Sequence, residues 1–395
     1  MGIKVGAMLN AVPPLDLSVG LAVQAEATGY DSVWFPDHLM GWFPRALWTP
    51  EASSIVNLLP SPHLYLDPTV LIALVGQATQ RVTLGTGVTD IIRRSPPDVA
   101  RTFVTLSLAT QGRAVLGLGA GERLNTEPYG LDYGKQVSRL EEALHIIRLL
   151  WAPRGAPQGA GSKEAAPQGA GSKEPLGGEP VSFQGRFWTL DRAVLDVDPY
   201  QGIAPPIWLG SHGPRMLRLA GRYADGWLPS YPMDAAEYAE RLSVVRSAGR
   251  EAGRDPASIT AGHHAYIVPA EDHETSHRML AAPLAGAMSL VASAANWERS
   301  GRRHPLGDGF QGLRDYVPEW YSPEELQAAV AAYHPDVLHD QVAHGTAPEI
   351  AAFFEPFVEA GLEHLVVSNV GPLAGIEYLG PSSAVLKEAV ALLQA

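Results

Sequence analysis

GLGAGE, residues 117–122, lies inside GRAVLGLGAGERLNTEPYG (112–130), and its reading decides the fold. A dinucleotide-binding turn needs G-x-G-x-x-G with a helix opening at once, so that free amides meet the pyrophosphate. Here the glycines are Gly117, Gly119 and Gly121. They alternate without a break, so an extended backbone would put all three on one face, where no side chain projects. Two readings of that bare face stand: small residues fitting the taper of a barrel interior, or backbone on which a flat ring lies, with Glu122 beside it at the strand end.

The flanking sequence favours a barrel. Short apolar runs recur at KVGAML (4–9), SVWFPD (32–37), VTLGTGV (82–88), AVLGLGAG (114–121), PIWLGSH (206–212), DGWLPSY (225–231), SITAGHHAYIV (258–268) and HLVVSNV (364–370). Amphipathic stretches follow most of them, among them LSVGLAVQAEATG (17–29), PPDVARTFVTLSLAT (96–110), GKQVSRLEEALHIIRLLW (134–151) and PSSAVLKEAVALLQ (381–394). Eight strands with interleaved helices predict an α/β fold, a (β/α)8 TIM barrel, over an open doubly wound sheet. Most runs end in polar residues: Asn10, Asp37 and His38, Thr86 to Asp90, Glu122, Ser211 and His212, Ser230 and Tyr231, Ser368 and Asn369. A barrel gathers those ends on one face, although each alone reads equally as a strand-end cap.

The 395 residues, 46% apolar, suffice for one large domain spanning 1–395. Two segments break the repeat. Residues 152–180 hold APQGAGSKEA followed directly by APQGAGSKEP, a tandem decapeptide too poor in apolar residues to order itself, read as a flexible insertion. Residues 285–345 exceed what a βα connection needs and are read as an insertion that forms a lid or substrate wall. A net charge of −13 without a basic run argues against nucleic acid. The absence of cysteine excludes disulfides and thiolate chemistry. MGIKVGAMLNAVPP lacks the apolar run of a signal peptide, and no stretch has bilayer-spanning length, so a cytoplasmic protein without a membrane span is expected.

PDH (36–38), LGTGVTD (84–90), GLGAGERLN (117–125) and GSHGPRMLRLAGRYADGW (210–227) resemble the luciferase-like superfamily, and within it the oxidoreductases that use the deazaflavin coenzyme F420. TDIIRRSP (89–96), GERLNTEPYG (121–130), EAGRDPASIT (251–260) and HPLGDGFQG (304–312) are similar to mycobacterial phthiodiolone-type ketoreductases, in the same order along most of the chain. The resemblance implies coenzyme F420, with FMN as the alternative, on the C-terminal face of the barrel. It implies that Asp37 hydrogen-bonds the deazaflavin, and that Val88 forms a bulge under the ring through a cis peptide after Gly87. Thr86 and Asp90 flank that bulge in the same site. Asn125 and the amides around Ser211, His212 and Gly213 would hold the phosphate, where PRMLRLAGR starts a helix with free amides.

A ketone accepting hydride becomes an alkoxide that needs a proton, and histidine is the side chain suited to supply one near neutral pH. By the same resemblance His38 is the proton donor, Glu122 relays the coenzyme proton and Trp42 stands near the reacting carbon. Departures from the family bear on the substrate. The chain holds only five lysines, two of them within the decapeptide repeat, and WLPSYPMD (227–234) has none, which argues against a phosphorylated sugar. LMGWFPRALW (39–48) and SIVNLLPSPHLYL (54–66) offer an apolar entrance for a lipophilic carbonyl compound; they read equally as a homodimer interface, and a homodimer is expected. Arg93 and Arg94 read as a solvated basic pair or as partners for an acidic coenzyme tail. HETSH (273–277) satisfies H-E-x-x-H, but it offers no evident third ligand, and no metal is assigned. His263 and His264 alternate across a strand and cannot share one ion. The readings carried forward are an F420-dependent ketoreductase, an FMN monooxygenase and a non-catalytic coenzyme-binding barrel.

Overall fold

The computed structural model describes residues 2–152, 180–230, 232–339 and 341–395. The decapeptide repeat and Tyr231 lie outside them. Eight parallel strands close into a barrel: β1 (Lys4–Met8), β2 (Ser32–Phe35), β3 (Thr83–Thr86), β4 (Ala114–Gly119), β5 (Ile207–Leu209), β6 (Gly226–Trp227), β7 (Thr260–Pro269) and β8 (His364–Asn369). Each pairs with the next, and β8 returns to β1 through Lys4↔His364 to Ala7↔Val367. The helices α1 (Leu15–Ala27), α2 (Pro68–Ala78), α3 (Pro96–Ala109), α4 (Gln136–Leu150), α5 (Pro214–Tyr223), α6 (Ala235–Glu251), α7 (Ala347–Glu359) and α8 (Leu379–Gln394) follow the strands in turn. The TIM barrel expected from the alternation is the fold observed. Among the described residues no helix is long and apolar enough to cross a membrane.

Local sequence starts the helices where they start. Asp67 accepts from the Thr69 amide with Pro68 in the first turn of α2, and Ser95 with Pro96 does the same for α3. β2 is buried on both faces, because Val33 and Phe35 meet the helix layer while Trp34 points inward. Inside the barrel Trp34 and Trp208 pack at 5.2 Å, with Val115, Leu228 and Val366. Two bulky indoles leave little room on the strands paired beside them, where Gly85 is the register partner of Trp34 and Gly226 that of Trp208. A Cβ on Gly85 would collide with the Trp34 ring, and one on Gly226 with the Trp208 ring. The indole nitrogen of Trp34 donates to Ser32 Oγ at 2.7 Å, and Ser32 Oγ lies 2.8 Å from His364 Nε2.

Several strands are shorter than the sequence reading made them: Asn10, Asp37, His38, Glu122, Ser211 and His212 sit just beyond their strands, while Thr86, Ser368 and Asn369 lie at strand ends. β4 ends at Gly119, so Gly121 does not share its extended face. Gly121 has φ +93°, and a Cβ there would meet Ile92 Cδ1 at 2.9 Å; it is a turn glycine. The chain between β7 and α7 builds a satellite layer from helices His273–Leu280, Pro283–Ser289, Ala294–Arg299, Pro323–Ala331 and Asp336–His339 and the strand Ala343–Gly345. Leu290, Trp297, Phe310, Tyr316 and Leu326 give it a core of its own. The excursion expected at 285–345 therefore begins earlier, directly after β7. Glu319 ties it to the loop after β2, accepting from the Arg45 amide at 2.8 Å and lying 3.0 Å from His63 Nε2.

Burial pushes His364 and His263 down to about 4 and His264 to about 3. These rings are neutral in the fold but protonate in the unfolded chain below pH about 6.5, so the unfolded state gains protons first. Stability should hold above pH 7 and fall as pH drops from 6.5 toward 4, by about 1.4 kcal/mol per pH unit for each histidine. Urea unfolding midpoints at pH 7.5, 6.5 and 5.5 check this, since the lower carboxylate range is not yet entered; an unchanged midpoint contradicts it.

Candidate active site

The site lies where the loops after β2, β3 and β4 meet at the C-terminal end of the barrel. The glycine stretch explains how it is shaped. A Cβ on Gly117 would overlap the Thr86 carbonyl oxygen, and Thr86 Oγ1 itself donates to the Gly117 carbonyl at 2.7 Å. A Cβ on Gly119 would meet Val88 Cγ2 at 2.8 Å, and one on Gly210 would stand 3.5 Å from both Val88 methyls. The Gly87–Val88 peptide is cis. The bare face of β4 thus receives the chain of β3 below and the Val88 bulge above, as the close-packing reading of the glycines expects.

His38 and Glu122 come together, His38 Nδ1 lying 3.5 Å from Glu122 Oε2. Asn125 organises the pair. Its Oδ1 accepts from the Leu39 amide at 2.8 Å and the Met40 amide at 3.1 Å, which fixes which end of the amide faces the histidine. Its Nδ2 therefore donates to His38 Nδ1 at 2.9 Å and to Glu122 Oε2 at 3.0 Å. Since Nδ1 accepts, the neutral ring carries its proton on Nε2. No group among the described residues takes that proton. Both ends of the Asn125 amide, which the resemblance set toward the coenzyme phosphate, are thus engaged by the protein.

Aromatic rings wall the histidine. Trp42 meets it edge-on at 5.8 Å, Tyr65 at 5.1 Å, and Tyr266 closes the far side of Trp42 at 5.4 Å. Burial, with Glu122 adding to it, pushes the Tyr65 hydroxyl up to about 12, so it stays a proton-bearing phenol. Neither tyrosine was singled out from sequence. Tyr266 was within reach of the strand pattern, because it sits two residues beyond His264 on the same face of β7, whereas nothing local marks Tyr65.

Other expected coenzyme contacts are engaged by the protein. The buried Asp37 carboxylate accepts from Thr89 Oγ1 at 2.5 Å and from Arg93 Nη1 at 3.1 Å, and lies 3.6 Å from Arg94 Nε as a looser ion pair. Asp90 Oδ1 accepts from the Ile92 and Arg93 amides, and its Oδ2 lies 2.5 Å from Arg93 Nε. Thr86 is occupied by β4, as above. These three are framework residues of the site, and Arg93 is no solvated cation. Burial opposes its charge, yet Asp90 and Asp37 outweigh that and hold its pKa above the ordinary value.

Around β5 the backbone stays open. Ser211 is fully buried, and its hydroxyl has no hydrogen-bond partner among the described residues. Gly213 caps α5 without a side-chain hydrogen bond, and a Cβ there would touch nothing within 4 Å. Burial, then the charge of Arg241, pushes His212 down to about 3, which leaves it neutral. Trp42 Nε1 is likewise buried without a partner. An orphan hydroxyl beside an uncapped helix start suits an anion, and an orphan indole N–H beside a walled imidazole suits a carbonyl oxygen.

The mouth of this (β/α)8 barrel thus gathers a tautomer-fixed histidine, a carboxylate and an aromatic wall. The family model described as "Luciferase-like monooxygenase" matches residues 2–364. The chain belongs to this luciferase-like family, and within it is an oxidoreductase. It is 38% identical over 328 residues to the phthiodiolone/phenolphthiodiolone dimycocerosates ketoreductase of Mycobacterium sp. (strain JLS), covering 82% of this chain and 80% of that one. It is 32% identical over 262 residues to the F420-dependent hydroxymycolic acid dehydrogenase of Mycobacterium tuberculosis (strain ATCC 25618 / H37Rv), covering 65% and 60% respectively. The solved structure of an F420-dependent secondary alcohol dehydrogenase in complex with an F420-acetone adduct superposes with a TM-score of 0.71 at 22% identity, over 100% of this chain and 99% of that one.

Asn125→Asp replaces the donor facing His38 with an acceptor. Ring nitrogen NMR shifts of His38 should report a move of the proton from Nε2 to Nδ1, and turnover should fall about 100-fold or more, the weight of a positioned proton donor. An unchanged tautomer would remove Asn125 from this role.

Proposed function

We propose that the protein is a ketoreductase dependent on coenzyme F420, moving a hydride between the deazaflavin and the carbonyl carbon of a lipophilic ketone or the corresponding alcohol. The observation that carries this is the Asn125-set tautomer, which leaves His38 Nε2–H as a donor facing the walled mouth. The two named relatives, a ketoreductase and an F420-dependent dehydrogenase, support the same chemistry. When bound, the deazaflavin supplies the hydride, which no protein side chain carries. Ser211 Oγ and the first-turn amides of α5 would hold its phosphate, while the Val88 bulge on Gly119 and Gly210 would support the ring.

In its neutral form His38 directs Nε2–H at the substrate oxygen and stabilises charge developing there. Protonation at Nδ1 turns that atom from Asn125 toward Glu122 Oε2. The imidazolium then gives its Nε2 proton to the alkoxide, which becomes the alcohol, and the neutral ring keeps on Nδ1 the proton it took from solvent until exchange with solvent restores the Nε2–H form. Glu122, whose Oε2 accepts from Asn125, holds the proton exchanged at the edge of the coenzyme ring. Trp42, Tyr65 and Tyr266 exclude water and offer flat apolar walls to an aliphatic substrate, with the exposed Leu39 at the rim. In the homodimer expected from the apolar stretches 39–48 and 54–66, the exposed pairs Leu17/Leu21 on α1 and Val70/Leu74 on α2 add apolar surface that we assign to the contact.

Equilibrium titration of the apoprotein with coenzyme F420, FMN and NADPH should give tight binding to the deazaflavin. Tight binding to FMN alone would favour a monooxygenase, and binding without turnover of any aliphatic ketone a non-catalytic barrel. His38→Ala should lower kcat about 10²- to 10⁴-fold while leaving the coenzyme Kd within about threefold; unchanged turnover overturns the assignment.

A further inference from the structure

Outside the mouth, at the root of the long excursion, lies a cluster of histidines with no part in the chemistry above. Helix His273–Leu280 carries His273 and His277 one turn apart. The strand Ala343–Gly345, paired with the end of β7, brings His344 against them. Ring centroids are 4.4 Å apart for His273 and His277, 5.6 Å for His273 and His344, and 5.3 Å for His277 and His344. His339 completes the group, 4.1 Å from His277 and 5.0 Å from His344. The third ligand that HETSH lacked in sequence is His344, sixty-odd positions downstream and adjacent only in space.

We propose that His273, His277 and His344 bind one first-row divalent cation, Zn²⁺ being the ion this donor set suits. One ligand atom from each lies within 4.8 Å of the others. The tautomers are already set for ligation. His344 Nδ1 is 2.9 Å from the Val342 carbonyl, an obligate acceptor, so its Nε2 keeps a lone pair. His273 Nδ1 is 3.0 Å from Glu349 Oε1. Glu349 is held in turn by the Thr346 amide and hydroxyl, both at 2.8 Å. A carboxylate or carbonyl on the far nitrogen is the usual support of a metal-bound imidazole. His277 Nε2 is buried with no hydrogen-bond partner among the described residues, a cost that a cation would remove.

The site is structural rather than hydrolytic. Glu274, the residue that would act as general base in a peptidase of this motif, stands exposed and pairs with Arg278 at 3.0 Å. The ligands come from the first helix and the last strand of the excursion, so an ion ties its two ends together. Met279, Leu280, Leu338 and Val342 beside the cluster pack with Phe43, the neighbour of Trp42. A cation here would thus hold the satellite layer against the loop that walls the mouth, and would stabilise the fold by mass action.

Untagged full-length protein, stripped with chelator, is titrated with ZnCl₂ by calorimetry and with CoCl₂ by visible absorption. The expected result is one ion per chain, a raised thermal midpoint with Zn²⁺, and tetrahedral cobalt bands. His277→Ala and His344→Gln should each abolish the saturable equivalent while the metal-free melting midpoint stays near the parent value. Glu349→Gln should weaken affinity roughly 10- to 100-fold, and His334→Ala, an exposed histidine outside the cluster, should change nothing. No saturable binding, or one equivalent that survives both His277→Ala and His344→Gln, overturns the site.

Discussion

Two indoles inside the barrel set the terms for everything above them. Trp34 and Trp208 fill the interior, and each lies over the adjacent strand, where its register partner, Gly85 or Gly226, presents no side chain. The same economy of side chains continues up β4. Gly117 lets the backbone of Thr86 come close, and Gly119 makes room for Val88. Tight backbone approach in the core and a flat platform at the mouth are thus one continuous property of neighbouring strands, and close packing makes it intolerant of an added methyl.

Above that platform the site is built by orientation. Asn125 is held by two backbone amides of the loop after β2 and passes its fixed polarity to His38 and Glu122. A side chain that touches neither ring nor substrate in the proposed chemistry thereby decides which nitrogen of the histidine carries the proton. Asp37 and Asp90 play the corresponding part for Arg93, three charges locked together under the loop. Buried ion pairs of this kind need every partner present, and here hydrogen bonds from Thr89 and from the loop amides complete them.

Sequence placed the strand tips well and their partners poorly. Alternating apolar runs located all eight strands, and His38, Glu122 and Ser211 stand at the mouth as their positions at strand ends implied, while Trp42, expected there from the resemblance alone, lies in the loop after β2 beside His38. Asp37, Thr86, Asp90 and Asn125 also stand there, but their polar atoms turn toward the protein, a matter of side-chain rotamers that residue type does not report. Gly121 continued an alternation in the letters and broke it in the backbone, because a left-handed turn and an extended strand both accept glycine. HETSH could be seen as half a site, with His344 invisible until β7 and the strand Ala343–Gly345 were paired.

By itself, then, the sequence determined the repeating βα alternation, the residues stationed at each strand end and the family to which they belong, since these follow from local periodicity and from motifs read along one line. Tertiary structure alone decided which polar group faces which, the tautomer of His38, the burial of Arg93 and the gathering of His273, His277 and His344. Those depend on distances between residues far apart in the chain, and such distances exist only once the barrel has closed.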